Sequence, residues 1–216
     1  MLASGALPPA RELPVEIDLS PRGGRFKMML RIPTRPEWLF AVTSDFDAFL
    51  VDHAACERKA SATALTFVSH YPDRAELVST MIQLAREELH HFQQVHREIA
   101  KRGLVLGPDT KDVYVLKLRE RIRRGPAFYL MDRLLVAGVV EARGCERFGM
   151  IADALPAGRL KDFYQTLGRS EAQHHQLFLG LAHRYFQSTE VAARLDSLLD
   201  AEAEIVSQLP LRPALH

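Results

Sequence analysis

Apolar residues recur along this chain at intervals of three and four, and no segment keeps the strict alternation of a half-buried strand over a useful length. One stripe reads Phe46, Leu50, His53, Glu57, Ala60, Ala64 and Phe67, and predicts a helix from Ser44 to Ser69 that Tyr71-Pro72 ends. A second, Leu77, Met81, Leu84, Glu88, His91, Val95 and Ile99, predicts a helix to about Arg102, opened by the capping box Asp73-Arg74-Ala75-Glu76. Gly103 stands where a left-handed cap is wanted. A shorter segment from Asp112 to Arg124 precedes Gly125-Pro126. A helix to about Ala154 then carries Leu134, Gly138, Glu141, Cys145 and Phe148, and the next carries Phe163, Leu167, Glu171, His174, Phe178, Leu181 and Tyr185. A final helix from a Thr189 cap to Leu209 repeats Val191, Leu195, Leu198, Glu202 and Ile205 before Pro210 and Pro213. Thr34-Arg35-Pro36-Glu37 reads as a capping box for a short leading helix. The pattern predicts an all-α chain: an extended Pro- and Gly-rich arm over residues 1–35, a helical bundle over 36–209 and a tail over 210–216.

Ionisable residues break these stripes at regular places. Glu57 and Glu88 are 31 positions apart, Glu141 and Glu171 30. In each pair the first helix offers a lone Glu and the second offers Glu-x-x-His, as Glu88 with His91 and Glu171 with His174. Residues three apart on a helix share a face, so each motif points a carboxylate and an imidazole the same way. This internal repeat of a helical hairpin supplies four inward carboxylates and two imidazoles, the ligand set of dimetal carboxylate bundles. Carboxylates are hard, anionic and able to bridge two cations, imidazole suits iron, and four such acids neutralise two divalent ions. Glu87 with His90 competes with Glu88 and His91, but aligns with Thr80, Gln83 and Gln94 on a polar face. Glu88 and Glu171 suit bridging positions; Glu57, His91, Glu141 and His174 suit terminal ones. His53, one turn before Glu57, and Cys145, one turn after Glu141, are candidates to line the site, each with an ordinary packing role as the alternative. A single Glu-x-x-His usually sits on a solvated face; two, each preceded by an inward Glu, are the unusual feature.

The chain has 216 residues, 47% hydrophobic and 25% charged, with a formal net charge of +1, which suits a soluble globular chain without a wholesale polyanion-coating charge. Two cysteines, Cys56 and Cys145, make a disulfide framework improbable and fit a reducing cytoplasm. No apolar run is long enough for a membrane span, and the first residues do not read as a secretion signal.

Asp52-His53-Ala54-Ala55-Cys56-Glu57-Arg58-Lys59-Ala60, Ala85-Arg86-Glu87-Glu88-Leu89-His90-His91-Phe92 and Val140-Glu141-Ala142-Arg143-Gly144-Cys145-Glu146-Arg147-Phe148, with the Glu171 motif, resemble the MiaE family of tRNA hydroxylases. The resemblance covers about residues 36–187. It implies a ferritin-like four-helix bundle with additional short and C-terminal helices. It also implies two iron ions held by Glu57, Glu88, His91, Glu141, Glu171 and His174. The expected activity is hydroxylation of the isopentenyl group of 2-methylthio-N6-isopentenyl-adenosine beside the anticodon of tRNA, with dioxygen as co-substrate. No flavin, nicotinamide or iron–sulfur fingerprint is present, so electrons are expected from a separate reductase or ferredoxin-type donor.

For tRNA, the segment 111–124 is locally basic: Lys111, Lys117, Arg119, Arg121, Arg123 and Arg124 stand against Asp112 and Glu120. Tyr114 is a candidate for base stacking. An ordinary solvated helix is the alternative. Competing functions for the same ligands are a ferritin-like iron oxidase or store and a manganese catalase. A rubrerythrin-like peroxidase would need a four-cysteine iron site that two cysteines cannot build. A metal-free bundle would leave four inward acids unexplained.

Overall fold

The structure, a computed structural model, describes residues 30–216, so most of the expected N-terminal arm lies outside the described residues. Among those residues there are seven α-helices and no strand: α1 (Pro36–Ser44), α2 (Phe46–His70), α3 (Ala75–Lys101), α4 (Val113–Glu120), α5 (Tyr129–Ala154), α6 (Arg159–Tyr185) and α7 (Ser188–Gln208). They fall into two compact units. One holds α1, α2 and α3 with residues 210–216; the other holds residues 30–34 with α4 to α7.

The first unit is built on the α2–α3 hairpin. Phe49, Leu50, Ala54, Ala64 and Phe67 of α2 and Leu77, Met81, Leu84, Val95 and Ile99 of α3 are buried, following the helical period read from the sequence. The Ser61 hydroxyl on α2 donates to the Ala85 carbonyl on α3 at 2.8 Å, tying the two helices at mid-length. Asp45 caps α2 by accepting from the Ala48 amide. α3 ends as expected at Gly103, whose φ is 71°. The Gly103 amide bonds Ala100 O and the Leu104 amide bonds Ile99 O, the paired bonds of a Schellman cap. The start of α3 departs from expectation. The Arg74 amide bonds the Tyr71 carbonyl, closing a turn around Pro72, and the helix opens after Arg74 without a side-chain cap. Residues 210–216, read as a tail, pack into this unit: Ala214 and Leu215 are buried, and Trp38 Nε1 donates to the Ala214 carbonyl at 2.9 Å.

The second unit is built on the α5–α6 hairpin, with α7 packed on α4, α5 and α6. Gly138 lets α6 approach closely, since a Cβ there would lie 3.4 Å from Phe178 Cβ. A buried polar network ties the elements of this unit together. Arg143, fully buried, donates to both oxygens of buried Glu202 (2.8 and 3.0 Å), and Tyr114 donates to the same carboxylate at 3.0 Å. The remaining Arg143 donors reach Thr34 Oγ1, Glu146 and the Ile32 carbonyl. This explains why Thr34 does not cap α1. Its hydroxyl oxygen accepts from Arg143 and Arg147 while its amide and hydroxyl donate to Glu146, and Arg35 takes the N-cap position without a side-chain bond. A second buried acid, Asp132, is gripped by Arg123 and Arg194. The Arg123 amide also goes to Asp132, at 2.8 Å, so the basic segment cannot remain helical to Arg124 and α4 stops at Glu120. α7 likewise begins one residue before the expected Thr189 cap, at Ser188, with Gln187 at its N-cap.

Burial pushes the Asp132 carboxyl up, but the bonds from Arg123 and Arg194 outweigh it and hold the group below the usual carboxylate range. A depressed folded value stabilises the fold above the unfolded value of about 3.9, and that contribution is lost as pH falls through the folded value. Urea unfolding of the protein and of Asp132→Asn should therefore differ most near neutral pH and converge below about pH 4. Arg143→Met should destabilise the protein by about 3–5 kcal/mol in the same measurement, because it strands the Glu202 charge away from water.

Candidate metal centre

Each hairpin carries one cluster of donors. In the first unit, α2 contributes Glu57 and α3 contributes Glu88 and His91, all buried. Their ligating atoms all lie within 4.8 Å of one another. His91 Nδ1 is 3.3 Å from Glu88 Oε2 and 3.7 Å from Glu57 Oε2. The two α3 residues share a face through their three-residue spacing, and the hairpin packing brings Glu57 opposite them. His53, one turn before Glu57, is fully buried and stacks on Phe49 at 5.6 Å between ring centroids. Its Nε2 is 2.7 Å from Glu57 Oε1, so one oxygen of that carboxylate is held while the other faces His91.

The competing register is placed elsewhere. His90 is exposed, and Glu87, half-buried, accepts from Gln83 Nε2 at 2.7 Å along the outer face of α3.

In the second unit, α5 contributes Glu141, half-buried, and α6 contributes Glu171 and His174, both buried. These three also bring ligating atoms within 4.8 Å of one another, and His174 Nδ1 is 3.4 Å from Glu171 Oε2. His175 is turned away: its Nδ1 bonds the Gly138 carbonyl at 2.7 Å, which requires the proton on that nitrogen. Burial lowers its pKa, and the carbonyl bond opposes that only in part. Cys145, half-buried one turn beyond Glu141, has its thiol pushed up to about 11, first by burial and then by the Glu171 and Glu146 carboxylates. It is therefore a neutral thiol near neutral pH.

The donor chemistry in both clusters is the same, oxygen from carboxylate and nitrogen from imidazole, and it fits a hard or borderline divalent cation. The buried acids Asp132 and Glu202 are a different case. The sequence reading placed Glu202 on a core stripe without a partner and passed over Asp132. Both are paired with arginine: Glu202 with buried Arg143, 59 residues away, and Asp132 with Arg123 and with half-buried Arg194, 62 residues away. No spacing signal could have joined them.

The expected RNA-contacting residues divide. Tyr114 is fully buried and bonded to Glu202, which removes it as a stacking platform. Arg123 is spent on Asp132, with its guanidinium carbon 4.5 Å from the Phe128 ring centroid. Arg119, Arg121 and Arg124 are exposed and Lys117 is half-buried.

A family model described as tRNA-(MS[2]IO[6]A)-hydroxylase (MiaE) matches residues 24–216. Two curated relatives carry the name tRNA 2-(methylsulfanyl)-N(6)-isopentenyladenosine(37) hydroxylase. The one from Pseudomonas putida is 38% identical over 177 residues, covering 82% of this chain and 86% of its own length. The one from Salmonella typhimurium is 27% identical over 226 residues, covering 82% and 83%. Among solved structures, a Synechococcus protein described as having aldehyde deformylating oxygenase activity matches with a TM-score of 0.81 and 35% identity. That match covers 85% of this chain and 92% of the Synechococcus one. The fold is all-α and ferritin-like, as expected. With all of its described length inside the family match, and both Glu-x-x-His clusters within it, the chain belongs to the MiaE family of tRNA hydroxylases.

Proposed function

We propose that this protein hydroxylates the isopentenyl group of 2-methylthio-N6-isopentenyl-adenosine next to the tRNA anticodon. The observation that carries this reading is the pair of repeated Glu, Glu-x-x-His clusters lying inside a family match over residues 24–216. The shared name of the two bacterial relatives supplies the substrate. The Synechococcus protein's different activity shows that the scaffold alone does not choose it.

The donor set fits two iron ions. Glu57, Glu88 and His91 in one cluster and Glu141, Glu171 and His174 in the other together offer four negative charges, enough to balance two divalent cations. In each hairpin the Glu-x-x-His pair, Glu88 with His91 or Glu171 with His174, would hold iron together with the lone Glu of its partner helix. The chemistry that iron supplies in such a site is reductive use of dioxygen: one oxygen atom enters a C–H bond as hydroxyl and the other leaves as water, consuming two electrons and two protons. A separate reductase or ferredoxin-type protein provides the electrons.

The chain's own residues do the positioning. His53 holds Oε1 of Glu57 and so presents Oε2 toward His91. Leu50, Leu84 and Ala54 in one unit, and Phe148, Leu167 and Phe178 in the other, are buried on the stripes that carry the donors and keep water from them. The prenyl tail is apolar and enters such surroundings readily, while the tRNA phosphates need cations. Exposed Arg119, Arg121 and Arg124, with Lys117, provide those on and just after α4. No described helix is long and apolar enough to cross a membrane, consistent with a soluble tRNA as substrate.

Nucleoside mass spectrometry of tRNA from cells lacking the protein and then regaining it should show the hydroxylated nucleoside return. Unchanged nucleosides would remove the hydroxylase reading while leaving metal binding intact. By metal analysis the purified protein should carry two irons per chain, Glu171→Ala should lose them and Glu87→Ala should keep them. The reverse pattern would shift the site to the other register. His53→Ala should weaken metal affinity by about 10–100-fold through the freed Glu57 oxygen.

A further inference from the structure

One group of metal-binding side chains lies apart from both clusters. Cys56, Asp112 and His216 bring a sulfur, a carboxylate oxygen and an imidazole nitrogen within 4.8 Å of one another, and all three are half-buried. They come from three separate stretches of one unit: α2, the segment leading to α4, and the segment after α7. Cys56 precedes Glu57 by one residue, and a helix turns about 100° per residue. The thiol therefore looks away from the face that carries Glu57.

The surroundings hold these donors in place. His216 Nδ1 lies 3.0 Å from Asp112 Oδ2. Asp52, one turn before Cys56, accepts from the Leu215 amide at 2.7 Å, and the Cys56 thiol points at the same Oδ2 from 3.8 Å. That bond fixes the residue before His216, and with buried Ala214 and Leu215 it anchors the segment that carries the imidazole.

We propose that Cys56, Asp112 and His216 form a separate site for one borderline-soft divalent cation of the zinc type, which clamps residues 210–216 to α2. A tetrahedral ion with bonds of about 2.0–2.3 Å places its donors roughly 3.3–3.8 Å apart. The present donors, 3.0 Å apart for His216 and Asp112 and within 4.8 Å of one another for all three, lie close to that range. The thiolate selects such a metal over magnesium or calcium, and the Cys56 proton leaves to solvent on binding. Three protein donors leave the fourth position to water. This mixed sulfur, nitrogen and oxygen set differs from the oxygen- and nitrogen-only clusters of the hairpins, so the two kinds of site are told apart by spectroscopy.

Cobalt(II) is the probe, added anaerobically to the iron-loaded full chain, with absorption read in the near-ultraviolet region of thiolate-to-cobalt charge transfer. One equivalent should raise the band in the unaltered protein and in Cys145→Ser. Cys56→Ser should abolish it, and His216→Ala should weaken cobalt binding by about tenfold or more. Far-ultraviolet circular dichroism checks that each variant is folded, and His216→Ala stands in if Cys56→Ser is not. Absence of the band from the unaltered protein, its survival in Cys56→Ser, or unchanged affinity in His216→Ala would overturn the proposal. Loss of the band in Cys145→Ser would do so too, since it would assign the thiolate signal to the cysteine one turn beyond Glu141.

Discussion

A carboxylate taken out of water must be met by positive charge or by good hydrogen bonds, and that single requirement sorts the buried acids of this chain. Glu202 and Asp132 are met by arginines, which are permanently charged and fork onto both carboxylate oxygens. Such acids are finished as chemistry: their charge is balanced, their geometry is fixed, and they serve the packing of α4, α5 and α7. Glu88 and Glu171 are instead set beside histidines three residues on, and Glu57 beside His53 and His91. Imidazole balances a carboxylate only when protonated, and as a neutral base it is a metal ligand. The kind of partner, more than burial itself, separates the structural acids from the candidate ligands.

The two hairpins reach the same arrangement by different local means. In both, the lone Glu sits on the first helix and the Glu-x-x-His on the second. The cross-helix bond differs, a Ser61 hydroxyl to Ala85 in one and a His175 ring to Gly138 in the other. The residue one turn after the lone Glu is Ser61 in the first hairpin and Cys145 in the second, and one turn before it stand His53 and Ala137. The shared part of the pattern is the part that places charge. The parts around it differ: the cross-helix bonds use different groups, and Ala137 stands where His53 holds Glu57 in the first hairpin.

Much of the fold was open to reading before any coordinates. Helical periodicity is local, and it located the long helices α2, α3, α5, α6 and α7 to within a few residues, including the Gly103 terminus of α3. Thr34, Thr189 and Asp73 sit in sequences that resemble caps, but a cap forms only where the side-chain oxygen is left to accept from the helix. The Thr34 oxygen accepts instead from Arg143, 109 residues away. Tyr114 and Arg123 looked like members of a basic, aromatic surface, until Glu202 and Asp132 claimed them from other helices.

The sequence by itself determined which residues share a helical face, because a rise of 1.5 Å and a turn of 100° per residue leave no freedom in that choice. From this came the all-α class, the repeated hairpin and the two Glu-x-x-His motifs on their apolar stripes. Only the tertiary structure decided which charged groups meet across helices, since contacts between residues 50 or 100 positions apart follow from packing and not from spacing. Packing alone paired Arg143 with Glu202, turned His175 onto Gly138 and set His216 beside Asp112 and Cys56.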